Sequence, residues 1–106
     1  MPSIDALVRE ARRTPNGFSE FLRVPAMSAG VYVLAAGATD VQSPHLEDEV
    51  YYVVRGRGKL RRGKEDVSAL PGDVLFVKAR ELHHFHSVEE ELVLLVVFAP
   101  AEQPAS

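Results

Sequence analysis

The chain has 106 residues, of which 46% are apolar and 25% charged, with a net charge of −3. That length suits one domain with a modest core, and that charge provides no basic stripe for a nucleic acid. The absence of cysteine excludes disulfides and thiolate metal sites, so any metal must be held by nitrogen and oxygen.

The N-terminal segment MPSIDALVREARR has no apolar stretch of signal-peptide length. The longest apolar run, Leu92–Pro100, is roughly half of the about 20 residues that a membrane-spanning helix needs. The expectation is a soluble, cytoplasmic domain with no membrane partner.

Ile4, Leu7, Val8 and Ala11 follow the i, i+3, i+4, i+7 stripe of an amphipathic helix. Ser3 can cap its start, and Asp5 suits the positive end of the helix dipole. Arg9, Arg12 and Arg13 suit the negative end, and Thr14-Pro15-Asn16-Gly17 stops the helix. Such a helix can bind a partner, or pack on its own domain or on a second subunit; packing is the simpler account.

From Phe18 onward the signals are those of strands. They predict Phe18–Val24, Ala29–Ala35, Val50–Val54, Lys59–Arg62, Glu65–Leu70, Val74–Val77, Leu82–Val88 and Leu92–Phe98. Gly56-Arg57-Gly58 reads as the turn of a hairpin between the third and fourth of these. Arg55, Arg57, Lys59, Arg61, Arg62 and Lys64 then form a solvated hairpin tip rather than a phosphate-binding patch. Pro71-Gly72 fits the central positions of a type II turn. Short strands after one short N-terminal helix predict an all-β fold, a small β-barrel or two-sheet jelly roll. The divisions are 1–17 for helix and linker, 18–100 for the barrel, and 101–106 for a frayed tail.

His45 and Glu49 are an even number of residues apart, so an extended path puts them on one face. In the later strand His83 and Phe85 share a face, with His84 and His86 on the other. Two imidazoles and one carboxylate, His45, Glu49 and His83, can converge on one divalent metal: Zn, Fe, Mn or Ni. Ser43 shares the parity of His45 and reaches the site through water or a weak hydroxyl contact. The Gln42 amide oxygen is its rival if Ser43-Pro44 bulges the strand. The competing reading is a barrel mouth without metal, whose polar residues bind water or a substrate directly. Tyr51 and Phe85 share the faces of Glu49 and His83 and are candidates to line the cavity, or simply core. Glu47 and Asp48 read as a solvated loop, and His86 becomes a supporting residue only if a bulge reverses its face. The chain has no Ser-His-Asp order, glycine-rich phosphate loop or nucleotide fingerprint.

These segments resemble the two motifs of the cupin superfamily. The first motif runs glycine, a His-x-His pair, Glu four residues after the second His, and a closing glycine. Gly37, His45, Glu49 and Gly56 match it, with Ser43 where the first His belongs. The second runs glycine, Pro-x-Gly, then a His three residues on. Gly72 and His83 match; Lys78 and Arg80 replace the Pro and the Gly, and Ser87 stands where Asn is common. The resemblance spans Val31 to Phe98. It implies a metal-dependent enzyme acting on a small molecule: a dioxygenase, isomerase, decarboxylase or lyase. The alternative is a barrel without catalysis that binds a small ligand or serves dimerisation. It also implies a homodimer formed through the sheets.

Overall fold

The computed structural model describes residues 2–40 and 45–103. Among them the chain forms one helix, α1 (Ile4–Arg13), and six strands: β1 (Phe18–Val24), β2 (Met27–Leu34), β3 (Asp48–Arg62), β4 (Glu65–Ala69), β5 (Val74–Val77) and β6 (His83–Ala99). The Ala6 N–H donates to Ser3 Oγ at 3.1 Å, which caps α1 as the sequence predicts. No helix of the described residues is long and apolar enough to cross a membrane.

All strand pairs are antiparallel, in the order β1-β2-β6-β3-β4, with β5 on the free edge of β3. Among the described residues β1 and β4 do not pair, so the sheet folds over itself as a jelly roll and does not close into a barrel.

Two of the predicted interruptions are absent. Val50–Val54 and Lys59–Arg62 are not the arms of a hairpin but parts of one strand, β3. Likewise the predicted strands Leu82–Val88 and Leu92–Phe98 merge into β6, which begins one residue later, at His83. The two long strands pair from Asp48↔Ala99 to Arg62↔His83, and their register shifts between Val53 and Lys59. Gly56-Arg57-Gly58 therefore marks an irregularity in the ladder, not a turn. Gly56 has φ +95°, and a Cβ there would overlap the Glu91 carbonyl oxygen. Only glycine tolerates both demands, and a glycine inside a strand signals a bulge as readily as a turn.

Arg55, Arg57, Lys59, Arg61 and Arg62 consequently run along β3, and only its end, with Lys64, reaches a hairpin turn, the one into β4. Arg55 pairs with Asp5 at 3.5 Å, Arg57 with Glu89 at 2.9 Å, Arg61 with Asp66 at 3.2 Å and Arg62 with Glu65 at 3.8 Å. Arg55, Arg57 and Arg61 are solvated, as expected, and such exposed pairs each contribute little; Arg62 is half-buried and also donates to the Phe76 carbonyl at 2.7 Å.

Alternation along β2 and β6 divides their apolar residues between two clusters. On one face Val31, Val33 and Val93 pack under Leu7, Val8 and Ala11 of α1. On the other, Leu34, Leu92, Leu94, Val96 and Phe98 join Tyr51, Val53, Leu60 and Phe85 inside the jelly roll. The helix thus packs on its own domain.

The tail departs from the expectation of fraying. Ala101 is buried and its N–H donates to the Pro25 carbonyl at 3.3 Å. The Glu102 N–H donates to Ser28 Oγ at 2.8 Å, and the Gln103 N–H to Glu47 Oε2 at 3.2 Å. The tail is docked through Gln103 because polar groups of the β1–β2 turn, of β2 and of the segment before β3 are there to receive its N–H groups; residues 104–106 lie outside the described residues.

Candidate functional site

In the ladder Glu49 is paired with Phe98 and His83 with Arg62, at opposite ends of β3 and β6. Their side chains nonetheless meet at 3.1 Å, so the paired strands bend back on themselves between these ends, and the register shifts around Gly56 mark where. Glu49 is 2% exposed and His83 5%. His45 precedes β3 and is half-buried at the rim. Its carbonyl accepts from the Arg80 N–H at 2.6 Å, and Asp48 Oδ1 accepts from the Ala79 N–H at 2.8 Å. These bonds tie the segment carrying His45 to the loop that leads into His83.

His83 Nε2 is 3.1 Å from Glu49 Oε1, and His45 Nε2 is 3.9 Å from the same oxygen. One nitrogen from each histidine and one Glu49 oxygen all lie within 4.8 Å of one another, a spacing that one small cation can span. Glu49 Oε1 and His83 Nε2 are buried, yet among the described residues neither has a hydrogen-bond partner. Although close, the two are out of line for an N–H···O bond. Unsatisfied buried polar atoms are costly and uncommon, and two of them side by side fit a cation better than they fit each other.

The other nitrogen of His83 is engaged. Nδ1 lies 2.9 Å from the Glu81 carbonyl; when protonated it donates there and leaves the Nε2 lone pair facing Glu49. Burial pulls the His83 pKa down, but the Glu49 carboxylate and the Glu81 carbonyl outweigh it and hold the pKa above the ordinary value.

Around these three stand groups that the sequence reading assigned differently or passed over. Glu47 is not a solvated loop residue: it is 3% exposed. Its parity was the available signal, since it shares a face with Glu49 two residues on. Asp48 is exposed, as expected, but it opens β3 and does not belong to a loop. Asp40 was missed. It is buried, accepting from Tyr32 O–H at 2.6 Å and from the Phe85 N–H at 2.7 Å. Burial, then the Asp40 hydrogen bond and charge, push the Tyr32 pKa far above its usual value. Glu102 was also missed. Its Oε2 is 3.3 Å from His45 Nδ1. Burial, helped by the negative charges of Glu49, Glu47 and Glu20 and opposed by Arg23, raises its pKa to about 7.

Tyr51 and Phe85 are both buried, their rings edge-on at 4.9 Å, with Tyr51 6.3 Å from the His83 ring. They form the apolar wall behind His83. Phe98, 5.1 Å from the His45 ring, extends that wall and was not anticipated. His84 is exposed, and His86 sits 2.9 Å from Asp66 on the outer side. Gln42 and Ser43 lie outside the described residues.

Comparison with known proteins gives the same fold. The chain is 43% identical over 99 residues to an uncharacterized protein of Streptomyces coelicolor, covering 93% of this chain and 94% of that one. A conserved double-stranded β-helix protein of Klebsiella pneumoniae has a TM-score of 0.79 at 22% identity, covering 94% of this chain and 89% of that one. The DMSP lyase DddQ of Ruegeria pomeroyi has a TM-score of 0.69 at 19% identity, covering 77% of this chain and 46% of that one. At those two identities the likeness is one of fold alone. The cupin domain pattern matches residues 30–98, most of the chain, and the protein belongs to the cupin family.

Proposed function

We propose that this cupin binds one divalent metal ion through His45, Glu49 and His83 and uses it on a small molecule. The observation that carries this reading is the buried pair Glu49 Oε1 and His83 Nε2, adjacent and without partners among the described residues. Two imidazoles and a carboxylate suit Zn, Fe, Mn or Ni; such an ion supplies a Lewis acid with coordination positions open to substrate or water. The chain's own residues do the rest. The Glu81 carbonyl fixes the tautomer of His83. Tyr51, Phe85 and Phe98 keep one side of the site dry. Dioxygenase, isomerase, decarboxylase and lyase chemistry are all compatible with this set. The test is elemental analysis of the purified protein before and after chelation. About one equivalent of metal, lost in His83→Ala, supports the reading.

A second copy of the chain completes it. Val50↔Phe76 and Tyr52↔Val74 are cross-strand partners on the outer side of β3 and β5. All four are exposed, Val74 at 68% and Phe76 at 49%. A contiguous apolar patch of this kind fits a sheet-to-sheet homodimer. Light scattering on the parent and on Phe76→Glu tests it: a dimer mass that falls to a monomer mass in the variant is the expected result.

A further inference from the structure

We propose that Glu102 is a positioning residue for His45: the docked tail turns the imidazole so that Nε2 faces Glu49. The inference rests on the metal reading above and is carried by geometry. His45 Nδ1 is 3.3 Å from Glu102 Oε2, while its Nε2 is 3.9 Å from Glu49 Oε1. The ring therefore lies between two carboxylates, one on each nitrogen. A proton on Nδ1 donates to Glu102, and the lone pair is left on Nε2, on the side of His83.

The carboxylate is well placed to do this because its backbone is tied on several sides. The Glu102 N–H donates to the buried Ser28 hydroxyl at 2.8 Å, and the Glu102 carbonyl accepts from Arg23 Nη1 at 2.9 Å. The flanking Ala101 and Gln103 N–H groups donate to Pro25 and Glu47. These bonds dock the tail without using the Glu102 carboxylate, which is thereby free to act on His45. His83 has the corresponding support from the Glu81 carbonyl at Nδ1. The two imidazoles are oriented by the same device, but with different partners. A carboxylate partner orients a ligating imidazole and raises its basicity, and losing such a partner commonly weakens metal binding about 10–100-fold. Spacing along the chain gives no hint of this, since Glu102 lies more than fifty residues from His45 and meets it only through the fold.

Two measurements on the parent, Glu102→Ala, Glu102→Gln and His83→Ala test the proposal, with circular dichroism to confirm folding. The first is the His45 tautomer, read by nitrogen-15 NMR of the metal-free protein across a pH series. The parent should carry its proton on Nδ1, and Glu102→Ala should lose that preference. The second is Zn²⁺ affinity by competition with a chelator. Glu102→Ala should bind about 10–100-fold more weakly, and Glu102→Gln, whose amide oxygen still accepts from Nδ1, should fall between it and the parent. A parent proton on Nε2 overturns the proposal. So does unchanged Zn²⁺ affinity in Glu102→Ala while His83→Ala loses the metal. Loss in Glu102→Ala as complete as in His83→Ala makes Glu102 a ligand and also overturns it. If the parent binds no Zn²⁺, the metal reading falls, and the tautomer still decides whether Glu102 orients His45.

Discussion

β2 and β6 present apolar residues on both faces, and the two faces are used differently. Toward α1, Val31, Val33 and Val93 are covered by Leu7, Val8 and Ala11, and shape is all that this contact demands. Toward the interior, Leu92, Leu94, Val96 and Phe98 pack with Tyr51 and Phe85, and beside that core Glu49, His83 and Asp40 are buried. Asp40 is satisfied by Tyr32 and by the Phe85 N–H. Glu49 Oε1 and His83 Nε2 are not satisfied by any described residue. The contrast supports the proposed metal site: a folded chain tolerates an unmet buried carboxylate oxygen where something else is to meet it.

The largest expected effects come from breaking each face in turn. Phe85→Ala should cost about 3–5 kcal/mol and Leu7→Ala about 2–5 kcal/mol by urea denaturation. Only Phe85→Ala should also weaken metal binding, because its ring supports Tyr51 beside His83. Equal loss of metal in Leu7→Ala would show that the faces are not independent.

Gly56→Ala should follow, at about 1–3 kcal/mol from backbone strain alone, with the overlap at Glu91 adding to it. Because the bend brings Glu49 over His83, metal affinity should fall with stability. A variant that keeps parental affinity would detach the bend from the site.

The two faces also differ in how far they can be read from sequence. The helix side follows from the Ile4, Leu7, Val8, Ala11 stripe and a capping serine, which are local signals. The parity of His45 with Glu49, and the motif position of His83, anticipate side chains that the structure brings together. The continuity of β3 and β6 was not legible, because Gly56 serves a bulge as well as a turn. Nor were Asp40 and Glu102: their partners are supplied by distant strands, and no local pattern encodes them. Glu47 was legible by parity but was outweighed by the charge of its neighbours.

A smaller effect of opposite sign sharpens the comparison. In metal-free protein, at a pH high enough that His83 is neutral, Glu49→Leu should raise stability, by about 1 kcal/mol, because it removes a buried carboxylate oxygen that no described residue meets. The same change should abolish metal binding. Destabilisation of the metal-free protein would mean that Glu49 is already satisfied.

The smallest effect lies outside both faces. The hydrogen bond from His86 holds the Asp66 carboxylate below its ordinary pKa of 3.8, against slight burial and with help from Arg61. The unfolded chain binds that proton first as pH falls. The contribution is therefore whole above the ordinary value and is lost as pH drops through the lower folded value. Asp66→Asn should make the acid-induced fall in stability slightly shallower below about pH 4; an unchanged slope would reject the pairing.

The most direct test of the central claim is metal content per chain in the protein as purified, set beside His83→Ala. The account predicts about one equivalent of a divalent transition metal in the parent, removable by a strong chelator and restored on adding the ion. It predicts almost none in His83→Ala, with the fold retained. A parent that neither carries nor takes up metal, or a His83→Ala variant that keeps a full equivalent, would contradict it.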